Sequence, residues 1–224
     1  MTSQCHNSPG HKPQSSEGLS HEQRGDTRPG DVVDGPSREV PATILDAVRA
    51  AVLAVGVRRT TLTDVARRAG VSRMTLYRLV PDVETLLLEL MTREFSALLA
   101  RAESAAARRR TARTRLVGMI AEVVRQLPRD ELFQRVIDVD PELLLPYLMD
   151  RIGSTQQLAL GHTRRLLREG QADGSIRNGS ADVMATTLLL AVTPFVVSAR
   201  LLGDIGHDAA LADLERGLDG WLKP

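Results

Sequence analysis

The stretch "AGVSRMTLYRLV", residues 69–80, concentrates recognition chemistry in a few positions: Arg73, Met74, Thr75, Tyr77 and Arg78. A guanidinium can bond in a two-pronged fashion to guanine or to a phosphate. A threonine hydroxyl can bond a phosphate, and its methyl can touch that of thymine. A tyrosine can give its hydroxyl to a phosphate while its ring packs beside a sugar. None of these groups is a nucleophile held by a neighbouring base. Elsewhere no Ser, Cys or Thr stands at recognisable spacing from a paired His and Asp, and there is no glycine-rich phosphate loop. Catalytic residues and a cofactor are therefore not expected. His6, His11 and His21 fit no metal-site spacing, so no metal is expected either.

Side chains of this kind act only if a scaffold turns them outward. Gly70 separates two short helical segments, and Ala66 lies four residues before it. The small alanine lets two helix backbones approach at a steep crossing, and the glycine can take the left-handed conformation that the turn needs. Val65, Ala69, Val71, Leu76 and Leu79 fill the space between the helices. This is a helix-turn-helix arrangement. Thr61 with Asp64 three residues later reads as a helix start. Ser72 and Asp82 are further capping residues, and Pro81 ends the middle helix. With Leu76, Leu79 and Val80 inward, Arg73, Met74, Thr75, Tyr77 and Arg78 stay outward. Thr61 and Thr63 sit where the preceding helix would cross a nucleic-acid backbone, and Arg58, Arg59, Arg67 and Arg68 add local positive charge.

Upstream, "PATILDAVRAAVLAVG" repeats Ile44, Leu45, Val48, Val52 and Val55 at helical spacing, and Gly56 stops it. Residues 1–40 are rich in Ser, Gly, Pro, His and charge, too polar to offset ordering by burial, and are expected to be a disordered tail. Downstream, helices are expected from Val83 to about Ala107, Thr114 to Leu127, Arg129 to Asp138, Pro141 to Glu169 (with a possible kink at Pro146), Ala181 to Leu202, and Asp208 to Leu222. No alternating, β-branched run appears, so the fold class is all-α.

Composition narrows the field in a different way. The chain has 224 residues, 42% hydrophobic and 25% charged, with a net charge of +1. Nothing in the overall charge announces a nucleic-acid partner, so that signal must be local. The single cysteine, Cys5, can make no internal disulfide, and no run approaches a membrane span or a signal peptide. A cytoplasmic protein without a membrane partner is the expectation.

The segment "ILDAVRAAVLAVGVRRTTLTDVARRAGVSRMTLYRLVPDVETLLLELM", Ile44 to Met91, resembles the DNA-binding region of the tetracycline-repressor (TetR) family. The shared elements are an "ILDAA"-like first helix, glycine before "TT", "VA..AGVS..TLY" and "P..E.LL". The resemblance implies a helix-turn-helix DNA-binding domain at residues 41–88. It also implies a larger helical domain at 89–224 that binds small molecules and dimerises. It places DNA contacts on Thr61, Arg73, Met74, Thr75, Tyr77 and Arg78. Three positions depart from the family pattern: Val52 or Leu53 and Val80 stand where aromatics are usual, and Val83 replaces a lysine that commonly meets phosphate.

The apolar helix from Ala181 must be covered all round. The last helix carries the stripe Leu211, Leu214, Leu218 and Leu222. Two arrangements fit: an intramolecular core, or a four-helix bundle shared with a second subunit, which the resemblance favours. The expected dimer interface is Leu190, Val197, Leu201, Leu211, Leu214 and Leu218. A ligand pocket is expected among the helices between Thr114 and Leu202. Asp138, Asp150, Gln156, Gln157, His162 and Thr187 are its candidate polar lining, with Phe195 and the Leu143–Leu145 run as apolar walls. The implied partners are a palindromic DNA duplex, a second copy of the chain and a small hydrophobic effector that releases a repressor. The alternative is a helix-turn-helix protein controlled by a protein partner.

Overall fold

The computed structural model describes residues 40–143 and 152–224; the expected tail up to residue 39, Leu144, Leu145, Pro146 and Asp150 lie outside them. Among the described residues every regular element is helical, as the sequence predicts.

Three short helices come first. Helix α1 (Ala42–Val55) buries Ile44, Leu45, Val48 and Val52 on one stripe. Its end is set by Gly56, whose φ is +82°; a Cβ there would lie 2.9 Å from Val139 Cγ1, so both the backbone angle and the neighbour require glycine. Helix α2 (Leu62–Ala69) starts on Thr61, whose hydroxyl accepts the Asp64 N–H at 3.1 Å. It ends at Gly70 in the left-handed region (φ +68°), and the next N–H, of Val71, returns to Ala66 O at 3.0 Å. Helix α3 (Arg73–Leu79) is capped by Ser72 through the Thr75 N–H at 3.0 Å.

Helix α4 (Val83–Ala106) is capped by Asp82, which accepts the Thr85 N–H at 2.7 Å. Its first turns and its later turns belong to different cores. Leu86, Leu87 and Leu90 join Val48, Val52, Val65, Leu76 and Val80 in the core of the head, while Ala102 and Ala106 join that of the body. Val40, assigned to the tail from composition, is buried in the head core. Val52 and Val80, two of the departures from the family pattern, are buried there as well.

The body follows as α5 (Ala112–Gln126), α6 (Glu131–Val139), α7 (Ser154–Ala172), α8 (Ala181–Val197) and α9 (His207–Leu222). A 3-10 turn at Leu127–Arg129 links α5 to α6, which Asp130 caps through the Phe133 N–H. The expected helix from Pro141 is not continuous. Pro141–Leu143 is a separate 3-10 turn, and α7 begins only at Ser154. Helix α8 runs through Pro194 but ends at Val197, short of Leu202, because the chain tightens into a 3-10 segment from Ala199 to Ile205. Helix α6 also serves both units: its Leu132 and Val136 pack into the head core.

Candidate nucleic-acid interface and cavity

Helix α3 presents its polar side outward because only Leu76 is fully buried; Leu79 is half-buried against the head core. Met74 is 69% exposed and Tyr77 54%, and Arg73 and Arg78 are exposed with no acidic partner among the described residues. Such large apolar and aromatic groups cost solvation when left open, which makes this side of α3 a candidate contact surface. The predicted positions are thus on one face of α3, with Thr61 exposed and Thr63 half-buried at the start of α2. Two of the threonines do a second job. Thr61 accepts the Asp64 N–H, and Thr75 shares a 2.8 Å bond with the Ser72 hydroxyl. As an acceptor, the Thr61 hydroxyl keeps its own proton to give to a phosphate.

The expected auxiliary positive field is weaker than its arginine count. Arg67 and Arg68 are both spent on Asp64, at 2.5 and 2.6 Å. The hydrogen bonds from Arg68 and then Arg67 hold the Asp64 carboxyl below its usual range, so it stays charged and offsets one of the two positive charges. Arg58 turns to Asp140 and Glu142. Arg59 gives its Nε–H to Val55 O at the end of α1. Arg73 and Arg78 are left as the open guanidiniums of the reading helix. Val83 is half-buried against the head core, so the first residue of α4 offers packing where the family commonly offers a phosphate contact.

The body contains a cavity of about 440 Å³ between α4, α5, α6, α7 and α8. Its wall is chiefly aliphatic, with Met91, Leu98, Met119, Phe133, Leu160 and Val192 among its members. Such size and lining suit a small apolar molecule. Thr163 contributes a polar point: the residue is buried and it lines the cavity.

The polar residues expected to line this space lie mostly elsewhere. Gln156 does line it. Asp138 pairs with Arg200 outside the lining, Gln157 is exposed, and His162 Nδ1 lies 3.0 Å from Glu103. Thr187 is exposed and gives its hydroxyl to Val183 O, while Phe195 packs on the body core without reaching the lining. The reason is helix phase. Residues 156, 159, 160 and 163 form the inner side of α7, and 188, 189, 192, 193 and 196 that of α8, so 157, 162 and 187 fall on other sides. The contribution of α4 lies outside the expected range, and α6 lines the cavity through Leu132, Phe133 and Val136 instead of Asp138. The leucine spacing of those helices shows an apolar stripe but not which part of it borders a void.

The expected dimer residues also divide. Leu190 and Leu201 are 67% and 84% exposed, and Val183 beside them is 65% exposed. Leu211 and Leu218 are instead buried in the chain's own body core, with Leu214 half-buried against it, because the leucine side of α9 faces inward. Val197 lines the cavity. Val183 and Leu190 of α8, Leu201 of the 3-10 segment and Trp221 at the end of α9 are exposed.

Residues 44–90 match the family described as "Bacterial regulatory proteins, tetR family". An uncharacterised HTH-type transcriptional regulator of Mycobacterium bovis is 35% identical over 80% of this chain and 92% of its own length. A Mycobacterium tuberculosis counterpart is 34% identical over the same shares. Among solved structures, the transcriptional repressor QsdR of R. erythropolis superposes with a TM-score of 0.60 at 21% identity, covering 81% of this chain and 94% of its own. FadR from Bacillus subtilis, solved with stearoyl-CoA, superposes at 0.55 with 19% identity, over 80% and 95%. The chain belongs to the TetR family of helix-turn-helix transcriptional regulators. Its head is the DNA-binding domain, and the body is the helical C-terminal domain of that fold.

Proposed function

We propose that the chain acts as a homodimeric repressor whose two α3 helices read an inverted repeat, and that a small apolar effector in the cavity releases it. One observation carries this reading. The face of α3 that holds Arg73, Tyr77 and Arg78 is open and unpaired, and the helix next in sequence, α4, runs unbroken from that head into the wall of an apolar cavity. Thr61, Thr63, Met74 and Thr75 complete the contact. Two heads on one two-fold axis match a palindrome, and losing one of two simultaneous contacts lowers affinity steeply. The exposed Val183, Leu190 and Leu201 supply the apolar surface for pairing. The size of the cavity and its chiefly aliphatic lining favour a small molecule over a protein partner as the controlling signal. No helix among the described residues is long and apolar enough to cross a membrane, which is compatible with action on cytoplasmic DNA.

The test is fluorescence anisotropy on duplexes from the DNA flanking the gene, titrated with salt. Sequence-preferring binding is expected, with affinity falling as salt rises because phosphate contacts release counterions. Leu190→Glu should shift the chain to monomers in sedimentation and weaken duplex binding together with pairing. Binding indifferent to sequence, or full affinity from a monomer, would overturn the reading.

A further inference from the structure

Helix α4 is the covalent route from cavity to head, but the structure contains a second one. Asp140, immediately after α6, has a fully buried carboxylate. Its Oδ2 accepts the N–H of Val57, 83 residues earlier in the turn between α1 and α2, at 2.8 Å. Its Oδ1 has no hydrogen bond and lies 3.5 Å from Arg58 Nε, in the same turn, and Arg58 also reaches Glu142. The turn fits closely around this carboxylate: Gly56 leaves room for Val139, and Thr60, buried, gives its hydroxyl to Gly56 O at 2.8 Å. On the other side, Phe133 and Val136 of α6 line the cavity. A buried carboxylate is costly unless its hydrogen bonds are met, so a shift of α6 that pulls Asp140 from Val57 is resisted until the turn moves too.

We propose that Asp140 is a positioning residue that couples α6 to the DNA-reading head, so that a displacement at the cavity wall is delivered to the α1–α2 turn independently of α4. This rests on the reading that the cavity governs duplex binding. The acceptor matters here more than the charge, because one backbone N–H is the element held.

The experiment is a double-mutant cycle on the full-length chain, read on a duplex the wild type selects from a random pool. Phe133→Trp crowds the cavity face of α6 and stands in for an occupant, with Phe133→Ala read in parallel in case the larger ring prevents folding. Asp140→Asn keeps an acceptor for Val57, and Asp140→Ala removes it. The Phe133 substitutions are expected to change duplex affinity about tenfold in the wild-type and D140N backgrounds and under about threefold with D140A. Amide exchange at Val57 should quicken in D140A and recover in D140N, while amides of Leu86 to Leu90 on α4 stay protected. Equal effects of Phe133 substitution in all three backgrounds overturn the proposal and leave α4 as the route; no effect in any overturns it together with the reading that the cavity governs duplex binding. The exchange measurement needs no duplex. Unchanged Val57 exchange sinks the tether even if DNA binding is normal, whereas quickened exchange in a chain that selects no duplex sinks the functional reading alone.

Discussion

The head and the body solve opposite problems with similar helices. The head uses helices of 14, 8 and 7 residues, each of the shorter two started by a side-chain cap. Helices that short are marginal alone and depend on caps and on a shared core. The body uses the 24-residue α4 with helices of 15, 9, 19, 17 and 16 residues, and α4 to α8 pack around a void. Charge differs as well. In the body, Arg115 meets Glu169 at 2.9 Å and Arg165 meets both Glu103 and Glu169, across more than fifty residues of sequence in two of the three pairs. On α3, Arg73 and Arg78 meet no acid among the described residues. An arginine that the fold leaves unpaired beside an exposed tyrosine is available to a partner; one inside an ion-pair network is already engaged.

That contrast gives the largest expected effect. Replacing Arg73 and Arg78 together by alanine should lower duplex affinity by about a hundredfold or more, at about 1–3 kcal/mol for each good base contact, with an unchanged melting temperature. Replacing Arg165 by alanine should leave duplex affinity unchanged and cost under about 1 kcal/mol of stability, as partly exposed pairs do. Anisotropy and thermal melts on the same preparations check both; an equal loss of affinity from the two changes would erase the distinction. Next in size is a comparison of cores. Leu76→Ala should destabilise the chain by about 2–5 kcal/mol, since the closely packed head cannot refill the hole. Leu189→Ala, at a half-buried wall position, should cost only about 1 kcal/mol, because that side chain already borders a void. Urea unfolding midpoints measure the difference.

The same contrast explains what could be read in the sequence. Thr61, Ser72 and Asp82 each announce a helix start through a bond to a residue three positions on, and Gly70 announces its turn by residue type. Such signals are complete within a few residues, so the head and its outward positions were legible. The pairing of Arg67 and Arg68 with Asp64 obeyed the same local spacing and could have been foreseen. Asp140 could not: its partner Val57 lies 83 residues away, and no periodicity connects them. The leucine stripe of α9 correctly indicated burial but not against what, and α5 with its own chain took Leu211 and Leu218. Polar lining residues were the least legible. A void among five helices depends on how far each is rotated about its axis, and a small change of phase moves a side chain from cavity to solvent.

The smallest expected effect compares one capping carboxylate from each region as acid is added. Asp82 is held below its ordinary value of 3.8 chiefly by the Thr85 N–H and then by the Thr85 hydroxyl. Asp173 is held below the same value by the Ser175 hydroxyl and by the N–H groups of Ala112 and Ser175. A carboxylate whose folded value is depressed stabilises the fold fully above its unfolded value, and the gain is lost as pH falls through the folded one. The melting temperature of the wild type should therefore drop faster below about pH 4 than that of Asp82→Asn, whose amide oxygen still accepts from Thr85 but does not titrate. Asp173→Asn should show the same divergence. The two differ in what they join: Asp82 bonds three residues along its own helix start, whereas Asp173 ties α7 to the first N–H of α5, 61 residues away. Acid should accordingly loosen α4 locally at Asp82 but separate two body helices at Asp173. Amide exchange at Ala112 that rises with acid in the wild type and not in Asp173→Asn would register the second event, and parallel behaviour of both variants would remove the difference between head and body on this count.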